Sequence, residues 1–193
     1  ESMSIIKSLE KRRTYYNLDK KIPISEQEVE EKVKKVTELV PDAFNMKSAR
    51  VVLVFGEKHE QLWDEIYDVF EGKVPREKLD LFKNGAGTIL FLYDQDIVKK
   101  MQEQFHTYAD NFPIWANQAN GMLQIVMWSM LRELNIGASL QHYNPIIDAK
   151  VKELFDIPES CMLVAQMPFG GIKKEPDEKE KQDINKRVSV VRS

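Results

Sequence analysis

The residues best suited to binding an anion lie at the end of the first predicted helix. Lys11, Arg12 and Arg13 are followed directly by Thr14. Guanidinium groups form paired, charge-assisted hydrogen bonds with phosphate oxygens, and a hydroxyl group adds one more donor. The same cations could instead only complement the dipole at the helix C-terminus. The pattern by itself leaves both interpretations open.

A second candidate site follows a long uncharged stretch. No residue from Trp115 to Leu131 is charged, so a helix here would be apolar around most of its circumference. We predict a helix buried in the core or in a subunit interface and ended by Gly137. The run is too short for a membrane span, which needs about 20 apolar residues. The turn at 138–145 is rich in backbone donors and amides, and a rigidly held loop of this kind suits a ligand.

Signatures of other chemistries are missing from the sequence. It contains neither the GxGxxG dinucleotide fingerprint nor the GxxxxGK[ST] nucleotide loop. His59 and His106 have no companion at metal-ligand spacing, so we expect no metal site and interpret both as satisfied or exposed histidines. Cys161 is expected to be a small buried hydrophobic residue rather than a nucleophile. If the protein is an enzyme, a bound cofactor therefore carries the chemistry.

Composition narrows the class of protein. A chain of 193 residues with 42% hydrophobic content is long enough for one domain with a real core. Glu1 and Ser2 precede Met3 and are interpreted as a remnant of cloning, so the predicted domain covers residues 3–193. The net charge of −3 gives no basic footprint for nucleic acid. A single cysteine and the lack of a recognisable signal peptide lead us to expect a cytoplasmic protein.

Hydrophobic periodicity and capping residues predict the elements that position these sites. Ser4 caps the first helix, and Ser25 with Glu28 forms a capping box for the second. Short apolar runs predict three buried strands. Mixed charge at 173–187 predicts an exposed connection to a C-terminal arm. The predicted strands are Arg50–Phe55, Thr88–Tyr93 and Met162–Met167, and further helices are predicted at Glu57–Phe70, Asp96–Tyr108 and Pro145–Phe155, with a short helical piece between Glu71 and Asn84.

Three segments carry a resemblance to a known family. They are Gly121-Met122-Leu123-Gln124, the stretch LNIGASLQHYNP at 134–145, and Ala165-Gln166-Met167-Pro168-Phe169-Gly170. They resemble the nitroreductase family, most closely its short branch of fatty-acid-repression-mutant-like nitroreductases. The similarity extends from about Ile5 to Val191, nearly the whole chain.

The resemblance implies a fold, a cofactor and a reaction. The fold would be α+β, a three-layer arrangement with a central, mostly antiparallel sheet flanked by helices and a C-terminal arm exchanged in a homodimer. FMN would take hydride from NADH or NADPH and reduce a nitroaromatic or similar electron-poor acceptor by a ping-pong mechanism. Two alternatives stay open: a quinone or flavin reductase of the same fold, and a non-catalytic flavin-binding regulatory protein. No contact with nucleic acid or membrane is expected.

The resemblance also implies the cofactor-binding residues. The turn would lie beside the flavin ring, with a backbone N–H of Gln141 or His142 directed at the N5 nitrogen. The His142 side chain is a candidate acid, although use through its backbone is the favoured interpretation. The implied contacts are Arg12, Arg13, Thr14 and Arg187 for the phosphate, Leu140, Gln141 and His142 for the ring, and Asn45 and Lys47 from the partner subunit.

The loop that contains Asn45 departs from the family pattern. In relatives it reads approximately Ser-Ser-x-Asn-x-Gln. Here Asp42 and Ala43 replace the two serines, and Lys47 stands where glutamine is common. A lysine near the pyrimidine edge of the flavin would favour the anionic reduced form by charge attraction.

Overall fold

The protein is described by a computed structural model of residues 4–193. Glu1, Ser2 and Met3, including the two residues interpreted as a cloning remnant, lie outside the described range. Seven α-helices and five β-strands are present within it. The helices are α1 Ile5–Lys11, α2 Glu26–Leu39, α3 Gly56–Val69, α4 Arg76–Lys83, α5 Gln95–Gln104, α6 Asn111–Glu133 and α7 Asp148–Phe155; the strands are β1 Leu18–Asp19, β2 Ala49–Phe55, β3 Gly87–Asp94, β4 Gly137–Ala138 and β5 Cys161–Ile172.

The strands form one antiparallel sheet in the order β1-β5-β3-β2, and β4 pairs with β5 beside this path. Seven of the eight residues of β3 are buried, because β3 lies between two neighbours and between two helical layers. The register between β3 and β5 shifts after Phe91, where Phe91 faces Ala165 and Leu92 faces Leu163. Val164 is therefore the extra residue of a bulge.

Helices cover both faces of the sheet. On one face, helices α3, α4 and α7 pack against the sheet around Trp63, Ile66 and Phe82. On the other face, helices α2 and α6 pack against the sheet around Val33 and Met127. Alternate residues of β3 point into these two clusters, as the period of two in a strand requires. Strand β5 contributes to the first cluster before the bulge and to the second cluster after it. The predicted α+β, three-layer architecture with an antiparallel sheet is confirmed.

Local sequence explains where α1 and α2 begin. The Ser4 hydroxyl accepts the Lys7 N–H at 3.2 Å, and the Ser25 hydroxyl accepts the Glu28 N–H at 3.1 Å. Both bonds satisfy amides that have no partner within the helix. The predicted N-termini of α1 and α2 are therefore confirmed.

The predicted ends of the long helix α6 and of the third strand are wrong. Helix α6 ends at Glu133, where Asn135 adopts a left-handed φ of 62°. Gly137, predicted to stop the helix, is instead part of β4, where an added Cβ would lie 2.8 Å from the Ile172 side chain and 3.0 Å from Tyr15. The third strand runs past Met167 to Ile172, because its end pairs with β1 and β4, two strands too short to show a pattern.

Strand β2 is less buried than predicted. Within its seven residues only Val54 is buried, because β2 is an edge strand of the described chain. After Ile172 the chain runs almost wholly exposed to Ser193, without a strand. The apolar side chains of Val188, Val190 and Val191 are 55%, 65% and 94% exposed. None of the helices in the described part of the chain is both long and apolar enough to cross a membrane.

Candidate functional site

Arg12 lies at the C-terminus of α1, and not all of its hydrogen-bond donors have a partner in the described chain. Its guanidinium lies over the Trp128 ring, 4.2 Å from the centroid, a cation–π contact. Its Nε atom is buried and has no hydrogen-bond partner among the described residues. Burial, and secondly the charge of Arg13, lowers the pKa of Arg12 from its ordinary value. A buried donor without a partner is rare in folded proteins, and an anion is one acceptor that would satisfy it.

The segment after Arg12 runs beside the turn that follows α6. The Tyr15 N–H donates to the Ala138 carbonyl at 2.9 Å, and Thr14 forms a parallel bridge with Ala138. The Trp128 indole N–H donates to the same carbonyl at 3.2 Å. Two stretches more than 120 residues apart thus form one site. Arg13 lies in the same segment, and its guanidinium donates to the Asp177 carbonyl.

The turn at 138–145 is hydrogen-bonded to the middle of β5 through Gln166. Gln141 and Gln166 exchange backbone hydrogen bonds of 2.7 and 2.8 Å. The buried Gln166 side chain accepts the Tyr143 N–H at 2.8 Å and donates to Asn144 at 3.0 Å. Sequence reasoning did not name Gln166 or Trp128 as site residues. A glutamine inside an otherwise apolar strand was the signal for the first, because a buried amide needs partners.

Some backbone amides of this turn are bonded to β5, and others are free of any partner among the described residues. The N–H groups of Ser139, Gln141 and Tyr143 are bonded to Pro168, Gln166 and Gln166 respectively. Within the described residues the N–H of His142 has no acceptor, and the His142 side chain is exposed. Of the two donors expected for a ligand, Gln141 is therefore engaged with β5 and His142 is available. The N–H of Leu140 is likewise without an acceptor there.

Asn45 and Lys47 belong to a separate region of the described chain. Both side chains are exposed and line a cavity of about 610 Å³ between the end of α2, the start of β2 and the middle of α6. No hydrogen bond or ion pair of the described residues joins them to Arg12, Thr14 or the turn. Arg187 is also apart, on the exposed C-terminal arm, where it donates to Gln182. The protomer alone thus assembles only part of the expected set.

The remaining candidate groups have structural roles. His59 is fully buried, with Nδ1 2.8 Å from the Thr88 hydroxyl and Nε2 3.0 Å from the Phe82 carbonyl. Burial lowers the pKa of His59 to about 4. Cys161 is buried, which raises the pKa of its thiol, as expected for a small core residue. His106 is exposed, and the described residues contain no cluster of His, Cys, Asp and Glu suited to a metal.

Comparisons with known proteins agree with this geometry. The sequence model of the nitroreductase family matches residues 9–171. The chain belongs to the nitroreductase family. FRM2, a nitroreductase of Saccharomyces cerevisiae, is 29% identical over 188 residues, which cover 96% of this chain and 95% of the relative. The predicted membership, including the fatty-acid-repression-mutant branch, is confirmed.

Solved structures show the same fold. The nitroreductase CinD of Lactococcus lactis in complex with nicotinic acid is 42% identical, covers 98% of this chain and 100% of its own, and has a TM-score of 0.92. CinD has also been solved with chloramphenicol and with 4-nitrophenol. A protein of Exiguobacterium sibiricum solved in complex with FMN has a TM-score of 0.76 at 12% identity, covers 98% of each chain, and shares the fold alone.

Proposed function

We propose that this protein is an FMN-dependent oxidoreductase that uses NADH or NADPH to reduce nitroaromatic or similar electron-poor compounds. The observation that carries the proposal is the buried, unpartnered Nε of Arg12, beside a turn with a free backbone N–H. FMN, when bound, supplies a redox centre that accepts two electrons from the nicotinamide and passes them to the second substrate, which then occupies the same space.

The residues at the end of α1 fit a phosphate group. Arg12 offers an Nε donor that has no partner among the described residues, and Thr14 adds a hydroxyl two residues further along the chain. Arg13 contributes positive charge while one of its nitrogens holds the carbonyl of Asp177. The cation–π contact with Trp128 fixes the Arg12 guanidinium before a ligand arrives, which reduces the entropy lost on binding.

The turn fits the polar edge of a flat ring system. The His142 N–H is held in place by the bonds of Gln141 and Tyr143 on either side, so it is a preorganised donor for a flavin nitrogen. Leu140 gives the turn a partly buried apolar side chain. The side chain of His142 is exposed and needs no role in the chemistry.

A second copy of the chain would complete the site. Asn45, Lys47 and Arg187 lie away from the Arg12 region in one protomer, so we infer that they contact the cofactor bound to the partner subunit. The arm carries valines whose side chains are more than half exposed in the described chain. An unpaired edge, β2, and an apolar groove lined by Val33, Val51 and Leu53 offer such an arm a docking place.

A spectroscopic experiment tests the proposal. The purified protein is incubated with FMN, desalted and examined for flavin absorbance, then treated anaerobically with NADH or NADPH. We expect retained flavin that bleaches with a nicotinamide and recovers with a nitroaromatic compound faster than with a quinone. A protein that retains no FMN contradicts the cofactor assignment, and gel filtration that gives a monomer with flavin retained contradicts the shared site.

A further inference from the structure

The loop that carries Asn45 and Lys47 has an unusual backbone. Phe44, Asn45 and Lys47 have φ angles of 54°, 52° and 55°. None of them is glycine, and each bears the steric cost of placing a Cβ in the left-handed region. Three such residues within four positions require strong restraints from the surrounding structure.

The main restraint is the carboxylate of Asp42. One oxygen accepts the Ala43 N–H at 2.7 Å. The other accepts the Ser48 N–H at 2.9 Å and the Ser48 hydroxyl at 2.6 Å. Asp42 therefore bonds to both ends of the strained segment and closes it as a loop. Bonds to an ionised carboxylate are stronger than those between neutral groups.

Ser48 connects this loop to the rigid sheet. It is fully buried, and its carbonyl accepts the Asp94 N–H at 2.8 Å, where β3 ends. On the other side, the Phe44 ring stacks on Trp115 of α6 at 5.7 Å and meets the edge of Phe112 at 5.1 Å. The loop is thus held between the sheet and α6.

The shape of the loop decides which side chains it presents. Met46 is buried, 7% exposed, against the core. Its two neighbours, Asn45 and Lys47, are exposed and line the 610 Å³ cavity. If the backbone returned to ordinary φ values, the directions of these two side chains would change together.

We propose that Asp42 is a positioning residue, whose carboxylate fixes the 43–47 loop so that Asn45 and Lys47 reach the flavin of the partner subunit. This inference rests on the proposed function. A serine, which the family pattern has at position 42, could not take this role. A single hydroxyl oxygen cannot occupy both acceptor positions that the two carboxylate oxygens fill.

The test combines hydrogen exchange with cofactor affinity. In Asp42→Asn an amide NH₂ replaces one carboxylate oxygen. Either Ser48 or Ala43 therefore loses its hydrogen-bond acceptor. We expect faster exchange in a peptide covering 43–48 of the FMN-free protein, with unchanged exchange in β3. FMN affinity should fall about tenfold, the effect of one charge-assisted hydrogen bond. Ser48→Ala should have a smaller effect, and the two changes together should cost less than their sum.

Glu31→Gln is the matched control. It removes one negative charge from the exposed surface of α2, outside the lining of the cavity and without a bond to the loop, so affinity and exchange should stay as in the unaltered protein. If the unaltered protein takes up FMN and Asp42→Asn binds it equally well, Asp42 has no positioning role. Unchanged exchange at 43–48 in Asp42→Asn would likewise remove that role. If the unaltered protein takes up no FMN, the proposed function and this inference both fail.

Discussion

Replacing Arg12 with methionine separates cofactor binding from folding. The long apolar side chain keeps contact with Trp128 but removes the charge. In the FMN-free protein the loss of a cation–π contact, about 0.5–2 kcal/mol, is offset by removal of a buried unpaired donor, which costs about 1–3 kcal/mol. The free energy of unfolding should therefore change by about 1 kcal/mol or less.

The FMN complex should respond much more strongly. A guanidinium that makes two charge-assisted hydrogen bonds to a phosphate contributes about 1.5–3 kcal/mol for each, which corresponds to a rise in the dissociation constant of about 10²- to 10⁴-fold. Titration with riboflavin, which has the same ring but no phosphate, is the internal control, and its affinity should not change. Lys7→Met on the exposed face of α1 is the matched control variant.

Three results would refute the assignment of Arg12. Equal weakening of FMN and riboflavin would mean that the substitution disturbs the whole site rather than a phosphate contact. Unchanged FMN affinity would mean that the orphaned Nε of Arg12 serves no phosphate. A free energy of unfolding lowered by several kcal/mol would instead make Arg12 a structural residue.

Three further predictions concern other groups. His142→Ala should leave turnover with NADH nearly unchanged in a steady-state assay. His142→Pro, which removes the backbone N–H, should lower turnover by about 10²-fold. Equal losses in the two variants would mean that the imidazole, and not the backbone N–H, acts on the cofactor. Lys47→Met should lower the flavin midpoint potential by about 20 mV, or about 1 kcal/mol for a two-electron couple, and an unchanged potential would remove the lysine from the site. Because burial lowers the pKa of His59 from 6.5 to about 4, the unfolded chain binds this proton more readily. In urea unfolding, the free energy of unfolding should therefore fall by up to roughly 3 kcal/mol from pH 6.5 to pH 4. The fall should be smaller in His59→Gln. The same pH dependence in both proteins would contradict the assignment of this effect to His59.

The sequence by itself determined where most elements lie and predicted that a bound cofactor carries the chemistry. Several elements follow from local patterns in the sequence. Hydroxyl groups at Ser4 and Ser25 cap two helices, and the apolar run of β3 and the uncharged stretch of α6 indicate buried elements. The absence of other catalytic motifs, together with Arg12, Thr14 and the 138–145 turn, led to a phosphate-bearing cofactor once the family resemblance was added. The positions of the elements follow from residue types and spacing, whereas the cofactor is what the resemblance implies.

The tertiary structure decided the details that depend on distant partners. The extension of β5 to Ile172 depends on its pairing with two-residue strands, which carry no periodicity of their own. The choice of His142 over Gln141 as free donor follows from a bond to Gln166, which is distant along the chain. Likewise, the roles proposed for Trp128 and Asp42 rest on contacts with Arg12 and Ser48 that spacing alone cannot reveal. Such partners are chosen by the packing of the whole chain, because each buried polar group must find its acceptor or donor wherever the fold provides one.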